Sequence, residues 1–170
     1  IDISKSDPNS SLLDWIRLEK QLHGTKEGCA EGDCGACSIL LSPVNGGKLR
    51  PANSCLLKLG QVAGSIIYTV EGLGSKKSPS PIQKSLTKFG GSQCGFCTPG
   101  FVIAITSLLN HKEKPTEIDI HDALAGNLCR CTGYRPIVEA IEKIDGDIHL
   151  PKYSKWSKCM NSISETGSFF

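Results

Sequence analysis

Eight of the nine cysteines in the sequence fall into two groups of four with tight internal spacing. Cys29, Cys34 and Cys37 follow C-x₄-C-x₂-C inside EGCAEGDCGAC, and Cys55 comes later in the chain. This is the spacing of plant-type [2Fe–2S] clusters, which are held by four thiolates. Gly28, Gly32 and Gly35 let the backbone fold round the sulfurs and aim N–H donors at them, and such donors tune a cluster's potential. Four thiolates suit Zn²⁺ as well, although zinc sites more often show two C-x₂₋₄-C knuckles than an interleaved triplet. The second group joins Cys94 and Cys97, in SQCGFCTPG, to Cys129 and Cys131. Its C-x₂-C half resembles a zinc knuckle while its C-x-C half is tighter than one, so by itself this quartet leaves zinc and iron open. Beside the first loop it reads as a second [2Fe–2S] centre. The odd count and the tight pairs argue against a disulfide scaffold, and Cys159 is left without a partner.

The elements that must position these sulfurs change character along the chain. Ile1 and Ile3 read as the end of a strand. Residues 9–22 read as a helix, capped by Asn9 or Ser10, with Leu12, Leu13, Ile16 and Leu22 at near-helical spacing. The run 38–42 is a strand that a turn at 45–47 sends into a hairpin. A short helical stretch follows Cys55, and 65–73 closes the unit as a strand. This first part is α+β. Residues 72–81, rich in Gly, Ser and Pro, mark a boundary, beyond which four short helices begin near Pro81, Pro99, Thr116 and Pro136. Proline in a first helical turn loses no hydrogen bond, and brief connections predict a compact all-α bundle. The stretches 94–102 and 129–138 each set a cysteine pair just before a helix. Thr98 is expected to cap the second helix, leaving Cys94 and Cys97 near its positive end. The expected division is 1–74, 75–146 and a linker or tail over 147–170.

EGCAEGDCGACSILL, TVEGL, SQCGFCTPGF and GNLCRCTGYRPIV together resemble the iron–sulfur region of molybdenum hydroxylases, the family of xanthine dehydrogenases, aldehyde oxidases and carbon monoxide dehydrogenase small subunits. The resemblance covers about residues 1–145. It implies a ferredoxin-like β-grasp domain followed by a four-helix bundle. Cys29, Cys34, Cys37 and Cys55 would hold one [2Fe–2S] cluster and Cys94, Cys97, Cys129 and Cys131 the other. It also implies a molybdopterin-binding partner near the helical cluster and a FAD-binding partner near the first, with electrons passing on to NAD. Gln93 matches the glutamine that approaches the pterin. Ala30 departs from the pattern, standing where relatives usually carry Gly. The β-grasp expectation also requires a first strand upstream of Ile1. Xanthine dehydrogenase is the favoured member, on the wording of GSQCGFCTPGF and a tail ending in Phe169 and Phe170. Carbon monoxide dehydrogenase or aldehyde oxidoreductase is the alternative.

The rest of the sequence narrows the function classes. A chain of 170 residues with 19 basic and 17 acidic side chains, net +2, makes no electrostatic case for nucleic acid or a membrane surface. No apolar run approaches the roughly 18 residues of a spanning helix. Starting at Ile1 rather than Met, the chain reads as a piece of something longer, and its expected location is cytoplasmic. His23, His111, His121 and His149 are scattered and read as solvent-facing. Trp15 reads as core, and Trp156 as a contact for a partner domain. Arg130 reads equally as a counter-charge between ligands or a surface ion-pair member, while Lys76 and Lys77 read as solvated charges. With no Gly-rich or Walker loop, nothing here binds a nucleotide, and no residue is assigned to catalysis. The reading is an electron carrier that does no bond chemistry. A stand-alone ferredoxin-type carrier and a zinc-stapled interaction module are the readings from other classes.

Overall fold

The computed structural model describes residues 6–43 and 48–145. The expected strand at Ile1 and Ile3, the turn at 45–47, His149, Trp156, Cys159 and the rest of the tail lie outside the described residues. The first helix, α1 (Leu12–Asp14), runs into a π turn over Trp15–Glu19. Its cap is Ser11, whose Oγ accepts from the Asp14 N–H at 3.0 Å, so neither Asn9 nor Ser10 caps it. It also ends before 22, because the chain turns left-handed at Gln21 (φ 56°).

Three antiparallel strands follow: β1 (Ser38–Pro43), β2 (Arg50–Asn53) and β3 (Ser65–Tyr68), in the order β2-β1-β3. The strand expected over 65–73 stops at Tyr68, and Val70–Leu73 forms a 3₁₀ turn instead. The helical stretch expected directly after Cys55 is a 3₁₀ turn at Leu59–Val62. Side chains alternate across a strand, and β1 is buried on both faces. Ile39 and Leu41 pack with Leu12, Trp15, Ile16, Leu59 and Val62. Leu40 faces the other way, onto Leu49 and Ile103. That double burial explains the continuous apolar run Ile-Leu-Leu in a sheet of this size.

The four expected helices are present: α2 (Pro81–Lys88), α3 (Thr98–His111), α4 (Glu117–Leu124) and α5 (Arg135–Glu142). Ser80 with Gln83 and Thr116 with Asp119 form capping boxes at α2 and α4, satisfying N–H groups that a helix start leaves unpaired. Thr98 does not cap α3. Cys97 holds the cap position, and Thr98 lies within the helix with its hydroxyl 2.7 Å from that of Ser92. The helices share a core of Ile82, Leu86, Phe101, Ile105, Ile120 and Ile137. Helix α3 is buried from Gly100 to Ser107. It has the helical core on one side and, through Ile103, the sheet on the other. A helix enclosed in this way reads as hydrophobic nearly all round, and FVIAI does.

Candidate metal centres

Hairpin register builds half of the first cysteine site. Cys37 precedes β1 and Cys55 follows β2 by two residues, and the pairing Ser38↔Asn53 brings them together. The Ser54 hydroxyl donates to the Cys37 carbonyl at 2.7 Å, and the two sulfurs lie 3.3 Å apart. The loop supplies the other half. The Cys29 N–H points at the Cys34 sulfur and the Cys34 N–H at the Cys29 sulfur, both at 3.4 Å, with the Glu31 N–H also on the Cys29 sulfur. Asn53 fastens loop to hairpin by donating to the Gly32 carbonyl at 2.6 Å. At Gly28 a Cβ would lie 2.7 Å from the Cys34 sulfur, so only glycine permits this approach. Ala30 takes up a left-handed φ of 59°, a conformation that favours glycine.

The second site is drawn from two helix starts. Cys97 caps α3, and the loop carrying Cys129 and Cys131 leads into α5. Cys97 lies beside Cys129, and Cys94 beside Cys131, each close enough to shift its neighbour's acidity. The Cys129 N–H donates to the Tyr134 hydroxyl at 2.9 Å, and that hydroxyl donates to the Asn127 carbonyl at 3.2 Å. The Tyr134 ring meets Phe101 edge-on at 6.1 Å, tying the loop to α3. Gln93 is exposed beside Cys94, and Arg130 is exposed between Cys129 and Cys131.

All eight described cysteines are free thiols, and crowding drives their acidities apart. Backbone N–H groups of Glu31 and Cys34 bring Cys29 down to about 7. Burial, then the hydrogen bond and charge of Cys37, push Cys55 up to about 11. Burial and Cys129 push Cys97 up to about 12. The neighbouring Cys94 raises Cys131. At Cys129 burial opposes ionisation, but Thr132, the Cys131 N–H and Cys97 together outweigh it and the net direction is down. Four like charges in one site cannot all form, whereas a bound cation lets them. Among the described residues no three His, Cys, Asp or Glu side chains gather closely enough to hold a single metal ion as they stand. The sulfurs come in pairs: Cys29 with Cys34, Cys37 with Cys55, Cys97 with Cys129, and Cys94 with Cys131. All-thiolate donors arranged two and two suit a two-iron cluster.

The two sites touch. The Leu128 N–H donates to the Cys34 carbonyl at 2.9 Å, and the buried Asn127 amide donates to the Gly35 carbonyl at 3.0 Å. Sequence reasoning missed Asn127, Thr132, Tyr134, Asn53 and Ser54, all of which hold cysteine backbone, sulfur or loop in place. Their neighbourhood to cysteines was the one available signal. The histidines within the described residues are exposed, each with a local partner: His23 with Gln21, His111 with the Ser107 carbonyl and His121 with Glu117. Trp15 is core, and Lys76 and Lys77 are exposed.

Residues 69–142 match the family described as a [2Fe-2S] binding domain. The chain is 48% identical over 139 residues to aldehyde oxidase 1 of Bos taurus, which covers 79% of this chain and 10% of that protein. It is 47% identical over 150 residues to xanthine dehydrogenase of Emericella nidulans, covering 86% of this chain and 11% of that protein. Among solved structures, quinoline 2-oxidoreductase from Pseudomonas putida 86 superposes with a TM-score of 0.74 at 38% identity, covering 81% of each chain. Aldehyde oxidoreductase from Desulfovibrio gigas superposes with a TM-score of 0.74 at 39% identity, covering 80% of this chain and 15% of that one. The chain thus belongs to the iron–sulfur region of the molybdenum hydroxylase family. It spans about a tenth of the length of the curated relatives.

Proposed function

We propose that this chain is the electron-relaying module of a molybdenum-containing hydroxylase, with Cys29, Cys34, Cys37 and Cys55 as ligands of one [2Fe–2S] cluster and Cys94, Cys97, Cys129 and Cys131 as ligands of a second. The carrying observation is the set of paired free thiols with N–H groups aimed at the Cys29 and Cys34 sulfurs. When bound, the clusters supply one-electron carriers between a molybdopterin and a FAD on other domains. The protein's own part is to hold the sulfurs, donate hydrogen bonds to them and keep the two loops in contact. We read residues 1–74 as a β-grasp unit, 75–146 as a four-helix bundle and 147–170 as a linker towards the flavin. Gln93, exposed beside Cys94, is the residue we assign to the molybdopterin side.

The favoured parent activity is that of a xanthine dehydrogenase with NAD as acceptor, in the cytoplasm. The 48% identity to aldehyde oxidase 1 supports aldehyde oxidation as a second reading. Reconstitution of the iron-loaded chain with the molybdenum-bearing and flavin partners separates them. Xanthine should then bleach the cluster absorption, Gln93→Ala should slow that bleaching without removing iron, and the chain alone should respond to dithionite but to neither substrate. Bleaching by aldehydes and not xanthine moves the assignment to the second reading, and turnover by the chain alone overturns both.

A further inference from the structure

Tyr134 sits in a backbone conformation that a tyrosine rarely takes. Its φ is 68° and its ψ −36°, and the Arg135 N–H donates back to the Gly133 carbonyl at 2.8 Å. This is a γ-turn of the rare positive-φ form, strained for any residue with a side chain. Such a conformation persists where its surroundings over-determine it, and it commonly marks a functional constraint. Here the surroundings are two hydrogen-bond chains that meet at Cys129.

In one chain the Cys129 N–H donates to the Tyr134 hydroxyl, which donates to the Asn127 carbonyl. In the other, the Tyr134 N–H donates to the Thr132 hydroxyl oxygen at 3.2 Å, and that oxygen lies 3.1 Å from the Cys129 sulfur. With its oxygen accepting from Tyr134, the Thr132 hydroxyl has its proton available for the sulfur. A ligating thiolate carries no proton, so between these two atoms only Thr132 can be the donor. At Cys29 and Cys34 the corresponding donors are backbone N–H groups, which no side-chain substitution removes.

We infer that Thr132, oriented by the γ-turn at Tyr134, is a positioning residue that donates a hydrogen bond to the Cys129 sulfur and holds the reduction potential of the second cluster above the value it would have without that hydroxyl. The inference rests on the cluster assignment above. Hydrogen bonds to ligand sulfurs draw charge from them and favour the more negative, reduced state.

The test is a redox titration of the iron-loaded full chain, followed by low-temperature paramagnetic resonance. Thr132→Val keeps the shape and removes the hydroxyl. It should lower the second midpoint, shifting the reduction equilibrium several-fold and up to about tenfold, the latter being about 59 mV for a one-electron couple. The first midpoint should not move, and Thr132→Ser should restore the second. Tyr134→Phe, which keeps the ring against Phe101, should alter the second signal's line shape and spare the first. An unchanged second midpoint in a fully loaded Thr132→Val chain overturns the inference, as does a fall in Thr132→Ser equal to that in Thr132→Val. If Thr132→Val sheds its second cluster, Thr132→Ser decides: a displaced midpoint refutes the hydroxyl's role and an unchanged one upholds it. Failure of the unsubstituted chain to take up iron overturns the cluster assignment itself, and this inference with it.

Discussion

Replacing Gly35 by alanine should force open the seam between the two cysteine loops. Gly35 has a φ of 68°, and a Cβ there would lie 2.3 Å from the Gly126 carbonyl oxygen and 2.4 Å from the Asn127 amide nitrogen. The left-handed backbone alone costs an L-residue about 1–2 kcal/mol, partly offset by about 0.4–1 kcal/mol from a stiffer unfolded chain. Neither close neighbour can step aside freely: one is backbone, the other is a buried amide bound to the Gly35 carbonyl. Overpacking of this kind costs about 1–3 kcal/mol, and the strained Asn127 bond is worth about 0.5–1.5 kcal/mol more. The expected loss is therefore about 1.5–6 kcal/mol, a large part of an ordinary domain's stability. Gly64→Ala is the matched control, because Gly64 has a φ of 71° with nothing within 4 Å of the added Cβ. It should cost only about 1 kcal/mol. Urea unfolding of both variants gives the comparison. Equal losses at the two glycines would refute the claim that the loops are held together at Gly35.

Ala30→Gly should stabilise the chain by up to about 1 kcal/mol, since it relieves a left-handed alanine at the expense of chain entropy. A loss in urea unfolding would contradict that. Asp119 is held down at about 2 by the Lys112 ammonium and then by Thr116. Its stabilisation is present above its ordinary value of 3.8 and is lost as pH falls from there through about 2, so Asp119→Asn should flatten the stability profile in that window; an unchanged acid slope would be the contrary result. Cys34→Ser should remove the first cluster's signal and spare the second, while Cys129→Ser should do the reverse and lower the melting temperature, because metal binding and folding are coupled. Equal loss of both signals from either variant would show the quartets are not separate.

What could be read in the sequence was local. Pro81, Pro99 and Pro136 in first turns, and Thr116 as the start of the third bundle helix, announce α2 to α5 within a few residues of their observed starts. The apolar run at 38–42 announces β1. What was misjudged depends on backbone angles or distant partners. The left-handed turn at Gln21 cuts the first helix short, and the 3₁₀ turn at Val70 shortens β3. Thr98 was a good cap by composition, but its hydroxyl is engaged by Ser92. The cysteine spacing made the candidate ligands visible, yet not the residues that hold them. A positive φ at a tyrosine has no sequence signature, and Asn127 finds Gly35 across 92 positions of chain.

Iron analysis with low-temperature paramagnetic resonance on the dithionite-reduced chain tests the presence of two clusters directly. Two clusters require about four irons per chain and should give two distinguishable signals, because a Gly-rich loop and a pair of helix starts are different electrostatic surroundings for a [2Fe–2S] cluster. A single signal with about two irons, or a colourless protein carrying zinc, would contradict the two-cluster assignment.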